Sequence, residues 1–185
     1  MTRQVHIHGL PERFVVGTVG MPGERTFYLQ ARSTGVVTSV AIEKAQAIVL
    51  AERVNQLLDE VSTTRDESIP SSFVGTPDVD PLDLPLVEEF RVGAMSLGWD
   101  DSAQRVVLEA HAIADEGQEI PEIGSDDRDG PDTLRVTLTA MQARGFAERA
   151  LSVAAAGRPP CPLCLQPLDP QGHVCPRANG YRRRS

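Results

Sequence analysis

Aromatic residues make up only 4% of this chain, so a core has to be built from Val, Leu, Ile and Ala. No apolar run approaches the roughly 20 residues that cross a bilayer. The N-terminus shows neither the apolar h-region nor the cleavage pattern of a secretory signal. Cysteines number three, and an odd count without such a signal argues against a disulfide scaffold. Signature chemistry is missing as well. The glycine-rich run Gly17–Gly23 lacks the Lys-Ser/Thr of a P-loop and the following helix of a dinucleotide fingerprint, so its glycines read as a hairpin turn. Neither Gly-x-Ser-x-Gly nor His-Glu-x-x-His occurs. These absences predict a cytoplasmic protein with reduced thiols, no membrane association and no catalytic residues that can be named.

What is present is concentrated at the C-terminus. Cys161, Cys164 and Cys175 all fall in the last 25 residues, with His173 beside them. Thiolates and an imidazole from two short turns can close a tetrahedron around Zn²⁺. Pro162 and Pro176 lock φ beside the cysteines, which suits tight ligand-bearing turns. The second half reads His-x-Cys, so a turn over 172–176 must bring His173 and Cys175 to one side. A redox dithiol at Cys161 and Cys164 is the alternative, but that motif usually opens a helix, which Pro159, Pro160, Pro162 and Pro167 oppose. Four protein ligands leave no open position, so the expected Zn²⁺ is structural.

Net charge is −8, unevenly spread. Residues 157–185 carry five arginines against Asp169 alone, or +4, which leaves −12 for the rest. An acidic body argues against a protein that coats DNA. The basic tail leaves RNA binding through Arg177, Tyr181 and Arg182–Arg184 as one alternative, although one aromatic among arginines is a thin basis for base stacking. Arg177 directly follows the expected Cys175-Pro176 turn, so Arg177 and Tyr181 are the candidate contacts to a partner. That partner would be another protein, or a second copy of this chain.

The body reads as one unit used twice. Phe14-Val15-Val16-Gly17 has a counterpart in Phe90-Arg91-Val92-Gly93, and Phe27–Ala31 in Val106–Ala110. Gln46-Ala47 with Ala51-Glu52-Arg53 recurs as Gln142-Ala143 with Ala147-Glu148-Arg149. Each unit reads strand, strand, strand, helix. In the first, strands over 13–19 and 25–32 flank a Pro-Gly turn, and a third over 36–42 feeds a helix over 43–61. That helix carries a stripe of Ala47, Leu50, Ala51, Val54, Leu57, Leu58 and Val61. In the second, strands over 89–97 and 104–112 flank a turn containing Gly98-Trp99-Asp100-Asp101. A third strand over 134–138 leads to Thr139, which caps a helix with Gln142 completing a capping box. The matching stripe is Ala143, Phe146, Ala147, Ala150, Val153 and Ala154. The expected organisation is therefore α+β: a first βββα unit over 1–61, a Pro-rich linker over 62–88, a second unit over 89–156 with an acidic loop over 115–132, and a zinc-binding knuckle over 157–185. His6 and His8 would share one face of an N-terminal strand and could bind metal, but a plain strand or flexible start accounts for them better. His111 falls on the polar face of its strand with no nucleophile evident nearby. Asp126, Asp127 and Asp129 lack the full calcium-loop pattern.

Two stretches carry a family resemblance: Gly17-Thr18-Val19-Gly20-Met21-Pro22-Gly23-Glu24-Arg25-Thr26-Phe27-Tyr28-Leu29-Gln30-Ala31-Arg32, and Cys161-Pro162-Leu163-Cys164 through His173-Val174-Cys175-Pro176-Arg177-Ala178-Asn179-Gly180-Tyr181-Arg182-Arg183. With them the chain resembles DUF3090, an actinobacterial family of uncharacterised proteins. The resemblance implies a cytoplasmic protein with no established activity. Relatives encoded near phosphomutase-like and lipid-kinase-like proteins hint at phosphoryl-group metabolism. The function expected is a non-enzymatic binding or adaptor protein. The alternative is an enzyme or enzyme subunit with its site in a groove between the two units, which convergent ionisable groups would mark.

Overall fold

The computed structural model describes residues 3–21, 23–65, 68–157, 161–164 and 175. It shows a mixed α+β fold with a seven-stranded sheet and two helices. The strands are β1 (Val5–Gly9), β2 (Arg13–Val19), β3 (Thr26–Ser33), β4 (Val36–Ile42), β5 (Glu88–Asp100), β6 (Arg105–Ala112) and β7 (Thr133–Leu138). Helix α1 (Lys44–Thr64) lies between β4 and β5, and α2 (Ala140–Ala155) follows β7. Strands β2–β3–β4 form one antiparallel meander and β5–β6–β7 another. They join through the parallel pair β4 and β5, a pairing that needs a crossover, which α1 supplies.

The sheet order is β1-β7-β6-β5-β4-β3-β2, so β1 and β2 occupy opposite edges. Only Leu10, Pro11 and Glu12 connect them. Gly9 and Arg13 can thus be at most about 14 Å apart, whereas the edges of a flat seven-stranded sheet would be about 29 Å apart. The sheet must roll. His8 of β1 accordingly reaches across the concave side, with Nδ1 2.9 Å from Ser33 Oγ and Nε2 2.9 Å from Thr38 Oγ1. Both ring nitrogens are engaged, and burial first, with His6 second, holds the imidazole below its usual pKa. His8 is therefore a buried structural residue, and His6 lies against the Phe90 ring.

The helices fill the concave side and pack on each other. Leu29, Val40, Leu108, Leu134 and Val136 meet Ala47, Ala51, Val54, Leu58, Ala147 and Ala150, all fully buried. Both stripes face inward as their spacing requires. Leu57 and Val153 are the exceptions: both are only partly buried, while Leu58 is sealed. The Thr139–Gln142 capping box forms, with Thr139 Oγ1 accepting from Gln142 N at 3.1 Å and Gln142 Oε1 from Thr139 N at 2.9 Å. The second hairpin turns later than its glycine suggests. Gly98 and Trp99 lie within the 13-residue β5, and the turn is Asp101–Gln104. Asp100 Oδ1 fixes it by accepting from Ser102 N and Ala103 N at 2.9 and 3.0 Å, a local side-chain bond that outcompetes the glycine.

The convex side is covered by two segments without helix or strand. Residues 68–87 run from α2 around the β2 edge. Leu82 sits where a Cβ on Gly17 would come within 2.5 Å of it. Arg13 donates to Asp78 at 2.6 and 3.0 Å and to Asp83 at 3.2 Å. Arg149 donates to Asp78 Oδ1 at 2.6 Å and to Val16 O at 3.0 Å, satisfying an edge carbonyl. Residues 113–132 cover the other half, held by Arg3 and Arg135.

Candidate metal centre

Cys161, Cys164 and Cys175 converge, their sulfur atoms all within 4.8 Å of one another. Cys161 and Cys175 are buried and Cys164 is half-buried. The Cys161–Cys175 sulfur separation is 3.8 Å. A disulfide would hold the sulfurs about 2.05 Å apart. Two thiolates about 2.3 Å from one ion at a tetrahedral angle would lie about 3.8 Å apart. The spacing therefore fits ligands to a shared ion and leaves the thiols free.

Local structure prepares these sulfurs. The Cys-Pro-Leu-Cys segment turns back on itself, so Leu163 N–H donates to Cys161 Sγ at 3.4 Å. Backbone donation from Cys164 and Leu163 stabilises the Cys161 thiolate and holds its pKa below the usual thiol value. A thiolate is the form that binds metal. His173, Arg177 and Tyr181 lie outside the described residues, so three of the four expected ligands are brought together here. Among the described residues, no other group of three or more His, Cys, Asp or Glu side chains is close enough to share an ion. Asp126 instead pairs with Arg135 at 2.8 Å, and Asp127 accepts from Ser125 Oγ at 2.7 Å.

A second polar cluster, invisible as such in the sequence, lies beneath the acidic loop. Glu109 and His111 alternate with apolar residues on β6 and read as solvent-facing, yet both are fully buried. Glu109 Oε1 accepts from Arg135 Nε at 2.5 Å and from Gly124 N at 3.0 Å. Thr133 Oγ1 donates to Pro131 O and accepts from Arg3, so it can only accept from His111 Nδ1. That leaves His111 Nε2 as the acceptor for Ser96 Oγ, 3.2 Å away. Burial keeps the imidazole neutral by lowering its pKa, against the opposing pull of Glu109. The pair lacks the third member of a nucleophilic triad, because the carboxylate stands 3.6 Å from the same Nε2 that faces the serine. A readable signal existed: Glu109 and Arg135 are opposite charges in what become directly paired positions of β6 and β7.

No helix among the described residues is long and apolar enough to cross a membrane. No curated protein and no solved structure matches this chain. The family model described as a protein of unknown function, DUF3090, matches residues 6–175, a span that takes in the whole sheet but for Val5, both helices and all three cysteines, and the chain belongs to that family.

Proposed function

We propose that this is a cytoplasmic binding or adaptor protein whose C-terminal segment is stabilised by a structural Zn²⁺. Cys161, Cys164 and Cys175 supply three thiolates and His173 the fourth ligand. The observation that carries this reading is the 3.8 Å sulfur spacing of two buried, unpaired cysteines. A thiolate-rich set selects a soft or borderline ion, and a closed set of four stabilises rather than catalyses. Elemental analysis of protein purified without added metal should find about one Zn²⁺ per chain. Cobalt substitution should give the intense visible absorption of tetrahedral thiolate coordination, reduced in Cys164→Ser. A metal-free protein would overturn the assignment.

The body would be two copies of one βββα unit. Several features support a common origin. Both meanders end in a helix whose N-cap N–H donates to a Gln three residues on, Glu43 to Gln46 and Thr139 to Gln142, each at 2.9 Å. Each of these glutamines also donates to a backbone carbonyl, Gln46 to Val92 O within β5 and Gln142 to Pro11 O before β2. The zinc-held tail would then present Arg177 and Tyr181 to an acidic surface on another protein or a second copy. Pull-down with and without residues 158–185 tests the contact. Light scattering at low and high salt tests self-association, which Arg177→Ala should weaken.

A further inference from the structure

We propose that the cavity where β3, β4 and β5 end side by side is a binding site for a small-molecule dianion with an apolar body. This goes beyond the metal-stabilised adaptor reading and does not depend on it. The cavity encloses about 640 Å³, within the range of small-molecule sites. Its position follows from register. Phe27 pairs with Ile42 and Ala41 with Arg91, so one end of three neighbouring strands brings Arg25, Lys44 and Arg91 to one rim. The end of α2, Val153–Ala155, and Gly157 just beyond it close the remaining side. Phe27, Ile42, Val153 and Ala154 give the cavity its apolar part.

The charges are unbalanced. Among the described lining residues, three cations stand against Glu43 alone, a net of +2. Glu43 is already spent on Arg91, with Oε1 accepting from Nη1 at 2.7 Å. Arg25 donates to a neutral carbonyl, that of Ala156. Lys44 makes no ion pair among the described residues, although acids abound on this body. A cationic hollow on a surface that carries −12 over residues 1–156 is not a by-product of bulk charge. The start of α1 adds nothing to the count, since Gln46 and Glu43 cap it from within.

An occupant with two negative charges balances the +2. A phosphate monoester carries about −1.5 to −2 at pH 7, and a dicarboxylate carries a similar charge, whereas a monocarboxylate would leave one cation unmatched. The volume admits a small molecule, and the surrounding acidic surface repels a nucleic-acid strand. Its one carboxylate is held by Arg91, and no His or second carboxylate among the described lining residues stands ready to act as a base on Thr26 or Lys44, so the proposal is of binding and not of a reaction.

The test uses the full chain, titrated by NMR with phenyl phosphate, phthalate, inorganic phosphate and benzyl alcohol. Phenyl phosphate should shift the amides of Thr26, Lys44 and Ala155, with inorganic phosphate and benzyl alcohol each binding at least about tenfold more weakly. Tighter binding of phthalate would equally support the dianion site and assign its headgroup to a dicarboxylate. Arg25→Gln and Lys44→Gln should each weaken binding about tenfold, as the loss of a charge-assisted contact does. Arg53→Gln, outside the cavity on α1, should change nothing. Glu43→Gln should tighten binding several-fold, a gain that a misfolded variant cannot imitate. Failure of both dianions to bind at millimolar concentration, or binding unchanged in the Arg25→Gln/Lys44→Gln double variant, would overturn the proposal.

Discussion

The two faces of the rolled sheet are buried by different means. On the concave face, two helices bring regular stripes of Ala, Leu and Val against Val, Leu and Phe of the strands. On the convex face, residues 68–87 and 113–132 have no such stripe to offer. They are pinned by guanidinium groups, Arg13 and Arg149 on one half and Arg3 and Arg135 on the other, which donate mainly to backbone carbonyls and Asp carboxylates. An irregular segment cannot satisfy its own carbonyls through a ladder. An arginine with five donors can collect several at once. Helix cover is thus non-directional and tolerant, whereas loop cover depends on a few residues, each of which satisfies many bonds.

The comparison breaks most sharply at Arg135. Arg135→Met leaves Glu109 as a buried, unpaired charge and should cost about 3–5 kcal/mol in urea unfolding. Adding Glu109→Leu should recover most of that loss, because two apolar groups need no partner; a double variant as unstable as the single would refute the pairing. On the helix side, Leu58→Ala should cost about 2–5 kcal/mol, and the half-buried Leu57→Ala clearly less. The seat of the 68–87 segment is next. Gly17→Ala would drive a Cβ to 2.5 Å from Leu82, and the overpacking should cost about 1–3 kcal/mol, relieved when Leu82→Ala is added.

The smallest effect is acid-dependent. Arg13 holds the Asp78 carboxyl below its ordinary value of 3.8. A depressed folded pKa contributes stability that is fully present above the unfolded value and is lost as pH falls through the folded one. Hydrogen exchange at the Asp83 amide, which donates to Gln30 Oε1 at 2.7 Å, should therefore quicken as pH drops below about 4, beyond the change in intrinsic exchange rate. Asp78→Asn should remove that dependence.

The helix side was the legible side. A stripe at 3.6-residue spacing, the Thr139 cap and the Gly20–Gly23 hairpin are local signals, and local chemistry produces them. The convex side was illegible for the same reason. Glu109 and His111 alternate as solvent-facing residues should, and it is the chain folding back over them, with Gly124 on Glu109 and Thr133 on His111, that makes them buried. The Pro-rich 68–87 segment likewise reads as a linker, because Gly17, which seats its Leu82, lies some sixty positions away. Cysteine clustering marked the three thiols that the fold brings within 4.8 Å of one another, since their spacing is itself the signal.

One connection has a kinetic meaning. Val5 pairs with Thr133, 128 positions later, and the three-residue link to β2 keeps β1 close to the far edge of the sheet. A ribosome adding roughly 5–20 residues per second therefore leaves the first strand without its sheet neighbour for on the order of ten seconds. A long apolar strand waiting that long would recruit another chain. Val-His-Ile-His-Gly is only five residues long and carries two imidazoles. Its docking on β7, which closes the roll, must wait until the last strand of the second meander has been synthesised.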